Sequence, residues 1–164
     1  MRDLIFRAKR LDNGEWVMSG NIVHFNEDNL FYIAKQHDTC VHCDDECDNI
    51  LSIEEGTFYK VNPETVGQFT DLTDSLGRKI FEGDIVKLTD KQYDTEWTAQ
   101  VVFGNPYSEY SWGWNFLYIG KKPQINTDIL LWVEMEETGV QCEVIGNIHD
   151  NPELLKGGAD NGSM

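Results

Sequence analysis

Gly77-Arg78-Lys79-Ile80-Phe81-Glu82-Gly83-Asp84-Ile85-Val86-Lys87 is the stretch on which the fold turns. Gly83 and Asp84 stand just before an apolar, β-branched run, where Gly permits a tight turn and Asp hydrogen-bonds the local backbone. A strand over 84–88 follows. Outward from it, short runs of apolar, β-branched and aromatic residues alternate with turn formers, which predicts further strands at 4–10, 15–23, 30–33, 50–53, 57–61, 66–70, 98–103, 114–119, 129–134 and 142–148. Asp12-Asn13-Gly14 is a hairpin turn between the first two, because Asn and Gly accept the positive φ of a tight connection. Segments 90–96 and 105–112 are turn-rich and predicted to be exposed loops. One helical fragment is expected after Asp150 or Asn151, either of which can cap it, with Pro152 and Glu153 in its first turn and Leu154 and Leu155 against the core. The expected class is mainly β: a small barrel over about 83–148, an N-terminal hairpin layer and a short C-terminal helix.

The chain has 164 residues, enough for one domain with a real core. That domain is placed at 1–156, leaving 157–164 as a flexible tail of small and polar residues. Hydrophobic residues make up 40% and aromatic residues 12% of the sequence, too much for a disordered chain despite its charge. The longest apolar stretch, Ile129-Leu130-Leu131-Trp132-Val133, falls far short of the roughly 20 residues that cross a bilayer. The N-terminus lacks the basic and apolar regions of a secretory signal, so a cytoplasmic location is expected, with no membrane contact.

Thirteen basic against 29 acidic residues give a formal charge of −16, which opposes binding to nucleic-acid phosphates. Arg7, Lys9 and Arg10 are the one basic cluster. The acids are concentrated, since neither Lys nor Arg occurs between Lys35 and Lys60 or between Lys122 and Lys156. Such segments serve as a solvated surface, as a face for a basic partner, or as a mimic of phosphates in a DNA-binding groove. The residues assigned to a partner-facing surface are Asp44, Asp45, Glu46 and Asp48 in one segment and Glu134, Glu136 and Glu137 in the other.

Cys40-x2-Cys43-x3-Cys47 is the one metal-like spacing, and His37, His42 or the distant Cys142 could complete a tetrahedron around zinc. Reduced thiols in a plain loop are the favoured reading, with no cofactor committed. Asp71, Asp74, Glu82 and Asp84 form a carboxylate group open to acid/base or metal work, although turn chemistry already accounts for the acids beside Gly77 and Gly83. His24, His37, His42 and His149 accompany no nucleophile motif, and neither phosphate-loop pattern occurs, so no catalytic residue is assigned. Trp112, Trp114, Phe116 and Tyr118 share one strand parity, and at least some of them are expected in the core.

The run Asn62-Pro63-Glu64-Thr65-Val66-Gly67-Gln68-Phe69-Thr70-Asp71-Leu72, continued by 77–87, resembles the signature of the YopX family. So do the opening 5–17 and the ending Glu143-Val144-Ile145-Gly146-Asn147-Ile148-His149-Asp150-Asn151-Pro152-Glu153-Leu154-Leu155. Gly83-Asp84 before Ile85-Val86-Lys87 also resembles the start of the first strand of SH3-like barrels. The family resemblance implies a bacteriophage or prophage protein in the cytoplasm of a bacterial host, and it implies no particular activity. The function expected is non-enzymatic protein binding during infection, to a host or phage protein, with self-assembly through sheet edges open. An acidic nucleic-acid mimic or nucleic-acid-associated protein, and a small enzyme with an unrecognised site, are the alternatives.

Overall fold

Antiparallel hairpins organise the chain, as its β-branched and aromatic runs favour. The computed structural model describes residues 4–25, 30–34, 58–104, 113–120, 126–130 and 139–156, which fall in two compact units, Met1–Gln68 and Phe69–Met164. Among the described residues no helix is long and apolar enough to cross a membrane.

In the first unit, β1 (Phe6–Lys9) pairs antiparallel with β2 (Trp16–Ser19) in the register Phe6↔Ser19 to Lys9↔Trp16. The Asp12-Asn13-Gly14 turn closes this hairpin: Arg10 N–H donates to Glu15 O at 2.9 Å, and the Asn13 side-chain oxygen accepts from Glu15 N–H at 3.0 Å. A second sheet has the order β3 (Ile22–Phe25), β4 (Leu30–Ala34), β5 (Phe58–Val61). The expected strand over 15–23 is therefore two strands. Ser19 Oγ accepts from Asn21 N–H and the Asn21 carbonyl accepts from Ala34 N–H, which carries the chain into the second sheet. Ala8, Ile33 and Val61 are buried at the centre, with Val17, Ile22, Phe31, Tyr59 and Val66 packed around them.

β6 (Gly67–Thr73) begins beside β1 and pairs with β7 (Lys79–Phe81) from Phe69 onward. The second unit is then built on an antiparallel sheet of order β11-β10-β9-β8-β12. Its strands are β8 (Asp84–Asp90), β9 (Thr95–Phe103), β10 (Trp114–Tyr118), β11 (Asn126–Asp128) and β12 (Val140–Asn147). Register places alternate apolar residues on one face: Cys142↔Leu88↔Trp97 form one rung and Val144↔Val86↔Ala99↔Tyr118 the next. Trp114, Phe116 and partly buried Tyr118 join that core, as their parity predicted, while Trp112 lies outside the described residues.

Four expectations change. The β8–β9 turn is 91–94 rather than 90–96, because Asp90 Oδ1 accepts from Gln92 and Tyr93 N–H and tightens the hairpin. Of the strand expected over 129–134, Ile129 and Leu130 instead follow β11 as a helical turn, with Ile129 in the core, and 131–134 lie outside the described residues. The sheets are not closed into a barrel over 83–148. Closure would need β11 and β12 to pair, but the outer edge of β12 is bonded to the turn after β6, where Ser75 N–H donates to Cys142 O at 2.9 Å. The C-terminal helix is a 3-10 turn, Pro152–Lys156, and Leu155 is exposed rather than pinned. Asn151 is drawn back to the strand end: its N–H donates to Asn147 O, and its side-chain oxygen accepts from Asn147 N–H at 3.3 Å.

Candidate functional site

Asp74 directly follows β6 and opens a turn that Arg78 closes. Its side chain is fully buried, and its two oxygens accept four N–H groups. Oδ1 takes Leu76 N–H and Arg78 N–H, both at 2.9 Å, while Oδ2 takes Arg78 Nε–H at 2.8 Å and Val144 N–H at 3.0 Å. Burial pushes this carboxyl up, but the backbone donors from Val144, Arg78 and Leu76, with the Arg78 side chain, outweigh it and hold Asp74 below the usual carboxylate range. Next to it, Ser75 Oγ accepts from Cys142 N–H at 3.0 Å. Asp74 is thus an ionised clamp between its own turn and β12.

The neighbouring motifs do the same work with different groups. Gly83 has φ +80°, a region open to Gly; its N–H donates to Val101 O and its carbonyl accepts from Ile148 N–H. Asp84, 1% exposed, accepts Phe81 N–H at 2.7 Å across that turn. At the end of β12 the register shifts between Val144 and Gly146, and a Cβ on Gly146 would stand 2.5 Å from the Asn151 side-chain oxygen. Asn147 then gathers the following turn, accepting from His149 N–H and Asp150 N–H and donating to the Asp150 carboxylate. In the first unit Asn62 caps the 3-10 turn Pro63–Thr65, and buried Thr65 Oγ1 accepts Lys9 N–H while donating to Asn62 O.

The candidate carboxylates are therefore distributed among turns. Asp74 and Asp84 are backbone clamps, Asp71 is exposed at φ +73° within the β6 irregularity, and Glu82 lies in the Gly83 turn. Among the described residues no group of three or more His, Cys, Asp or Glu is arranged to hold a metal ion. Cys142 is 0% exposed and packs in the apolar core of the second unit. Cys40, Cys43, Cys47, His37 and His42 lie outside the described residues, as do Asp44, Asp45, Glu46, Asp48, Glu134, Glu136 and Glu137.

The basic cluster is brought onto aromatic rings. Arg7 and Lys9 alternate along β1 and lie over Trp16, at 4.7 and 5.5 Å from the ring centre, and Arg10 lies 4.2 Å from the Tyr59 ring centre. Arg10 also binds the Asp12 carboxylate through two nitrogens. His24 stacks on Phe31 with centroids 4.1 Å apart. Sequence reasoning missed Thr65, Ser75 and Asn147 as clamps, although Ser75 follows Asp74 and Asn147 follows Gly146, where a short polar side chain turns back on the backbone.

A family model described as YopX protein matches residues 5–156. No curated protein gives a significant match. Among solved structures, the crystal structure of protein EF1440 from Enterococcus faecalis is similar over 94% of this chain and 99% of that chain, at 20% identity and a TM-score of 0.45.

Proposed function

We propose that this chain, which belongs to the YopX family, is a non-enzymatic protein-binding module encoded by a phage or prophage and working in the cytoplasm of a bacterial host. The observation that carries this reading is the engagement of polar side chains in and between the signature runs with backbone. A general acid or base needs a pKa near the working pH and reach to a substrate. Asp74 has neither, being buried and held below the carboxylate range by its donors, and Asp84, Asn147 and Thr65 are bonded into their own turns. The signature builds a scaffold.

Recognition is then assigned to acids that stand outside the signature runs of the sequence. Asp44, Asp45, Glu46 and Asp48, and Glu134, Glu136 and Glu137, fall in the two intervals without Lys or Arg, in a chain of charge −16. Such segments attract a basic surface and speed its association. The partner is a basic host or phage protein, and direct nucleic-acid binding is weak because phosphate is repelled.

Reversing each acidic set to Lys, with wild-type protein as reference, tests the reading in pull-downs from host lysate at low and high salt. Capture that weakens with salt in the wild type, and is lost in one or both reversed variants of intact fold, supports it. Salt-independent capture retained by both variants would contradict it.

A further inference from the structure

We propose that the turn from Asp74 to Arg78 guards the outer edge of β12 against strand pairing with a second copy of this chain. β12 is terminal in its sheet, bonded to β8 on one side. A strand so placed presents a row of unpaired N–H and C=O groups on its other side, a template for another chain. Here part of that row is taken. The N–H and C=O of Cys142 are bonded to Ser75 Oγ and Ser75 N–H, and the N–H of Val144 to Asp74 Oδ2. The turn is itself braced by Arg78, which bridges Asp74 at 2.8 Å and Glu143 of β12 at 3.3 Å.

The edge beneath the turn suits a second copy. Cys142 directs both its donor and its acceptor outward, which is the geometry of a hydrogen-bonded antiparallel pair, and two β12 strands related by a two-fold axis there would exchange both bonds. In that register Val140 faces Val144 of the other strand, and Gln141 faces Glu143. No carboxylate lies directly opposite another, so the pairing avoids like-charge contact. Val140 and Cys142 also keep their apolar face on the core, at 3% and 0% exposure, so pairing would extend a sheet already packed on one side.

The test compares full-length wild type, Asp74→Ala and Ser75→Ala by sedimentation over a range of concentration and by residue-resolved amide exchange. The expected result is that Asp74→Ala doubles its mass as concentration rises. Its Cys142 and Val144 amides should exchange about tenfold faster than wild type when dilute, as loss of a hydrogen bond of ordinary strength implies, and regain protection in the dimer. Ser75→Ala removes one acceptor and should show the same behaviour at higher concentration. It is also the reference if Asp74→Ala fails to fold by circular dichroism. Wild-type mass at every concentration in the folded variants would overturn the proposal. So would a dimer in which the Cys142 and Val144 amides stay fast.

Discussion

Asp74→Asn isolates the charge of the central clamp with almost no change in shape. The amide keeps one oxygen for Leu76 and Arg78 N–H, but places an NH2 group where Oδ2 accepted Val144 N–H and Arg78 Nε–H. Leaving the strand N–H against another donor costs about 1–3 kcal/mol. Arg78 loses a charge-assisted bond, but its side chain is 47% exposed and recovers water, so its share is about 1 kcal/mol or less. The sum is about 1–4 kcal/mol, which lowers a urea midpoint by about 0.5–2 M for an ordinary slope. Because the folded carboxyl is held below its unfolded value, its stabilisation is complete above an unfolded pKa of about 3.9 and is lost as pH falls through the folded one. Urea unfolding followed by circular dichroism near pH 7 and again near pH 3 should therefore show a gap between wild type and variant that narrows in acid. A midpoint shift under about 0.3 M near neutrality, or a gap that does not change with pH, would refute the clamp.

Gly83→Val should lower stability by about 2–4 kcal/mol, because a β-branched residue resists φ +80° and its methyl groups would press beyond the Ile148 contact at 3.5 Å. Gly83→Ala should cost less, and equal thermal midpoints for Val and wild type would remove the special backbone position. Gly146→Ala forces the Asn151 side chain from its 2.5 Å contact, at about 1–2 kcal/mol. The double variant with Asn151→Ala should cost less than the sum of the single changes, and strict additivity would show that the two sites do not touch. Elemental analysis of purified protein is expected to return substoichiometric zinc; stoichiometric metal that disappears in Cys40→Ser would establish a zinc loop.

Local chemistry was readable in the sequence and distant pairing was not. The Asn13-Gly14 and Gly83-Asp84 turns follow from backbone preferences of the residues themselves, and the core parity of Trp114, Phe116 and Tyr118 follows from the two-residue period of a strand. The barrel failed because the neighbour of β12's outer edge is set by Asp74, 70 residues away in sequence from Val144, and no local pattern announces that contact. The break of 15–23 into two strands has the same origin, since Asn21 is fixed by Ala34 of another strand. For the site, turn chemistry around Gly77 and Gly83 pointed to structural acids, and four N–H donors outweighing burial explain why Asp74 stays ionised. Thr65 was hidden because its hydroxyl serves a strand 56 residues earlier. The acids assigned to a partner rest on charge distribution alone, and they lie outside the described residues.

Amide hydrogen exchange on the unmodified protein tests most directly the claim that the polar side chains in and between the signature runs are architecture. The strand N–H groups to follow are four that donate to such a side chain rather than to a ladder carbonyl: Lys9 to Thr65, Phe81 to Asp84, Cys142 to Ser75 and Val144 to Asp74. If the clamps hold the fold, these amides open with the cooperative core and exchange about as slowly as its central strands. Exchange at the rate of exposed turns at all four positions would contradict the account.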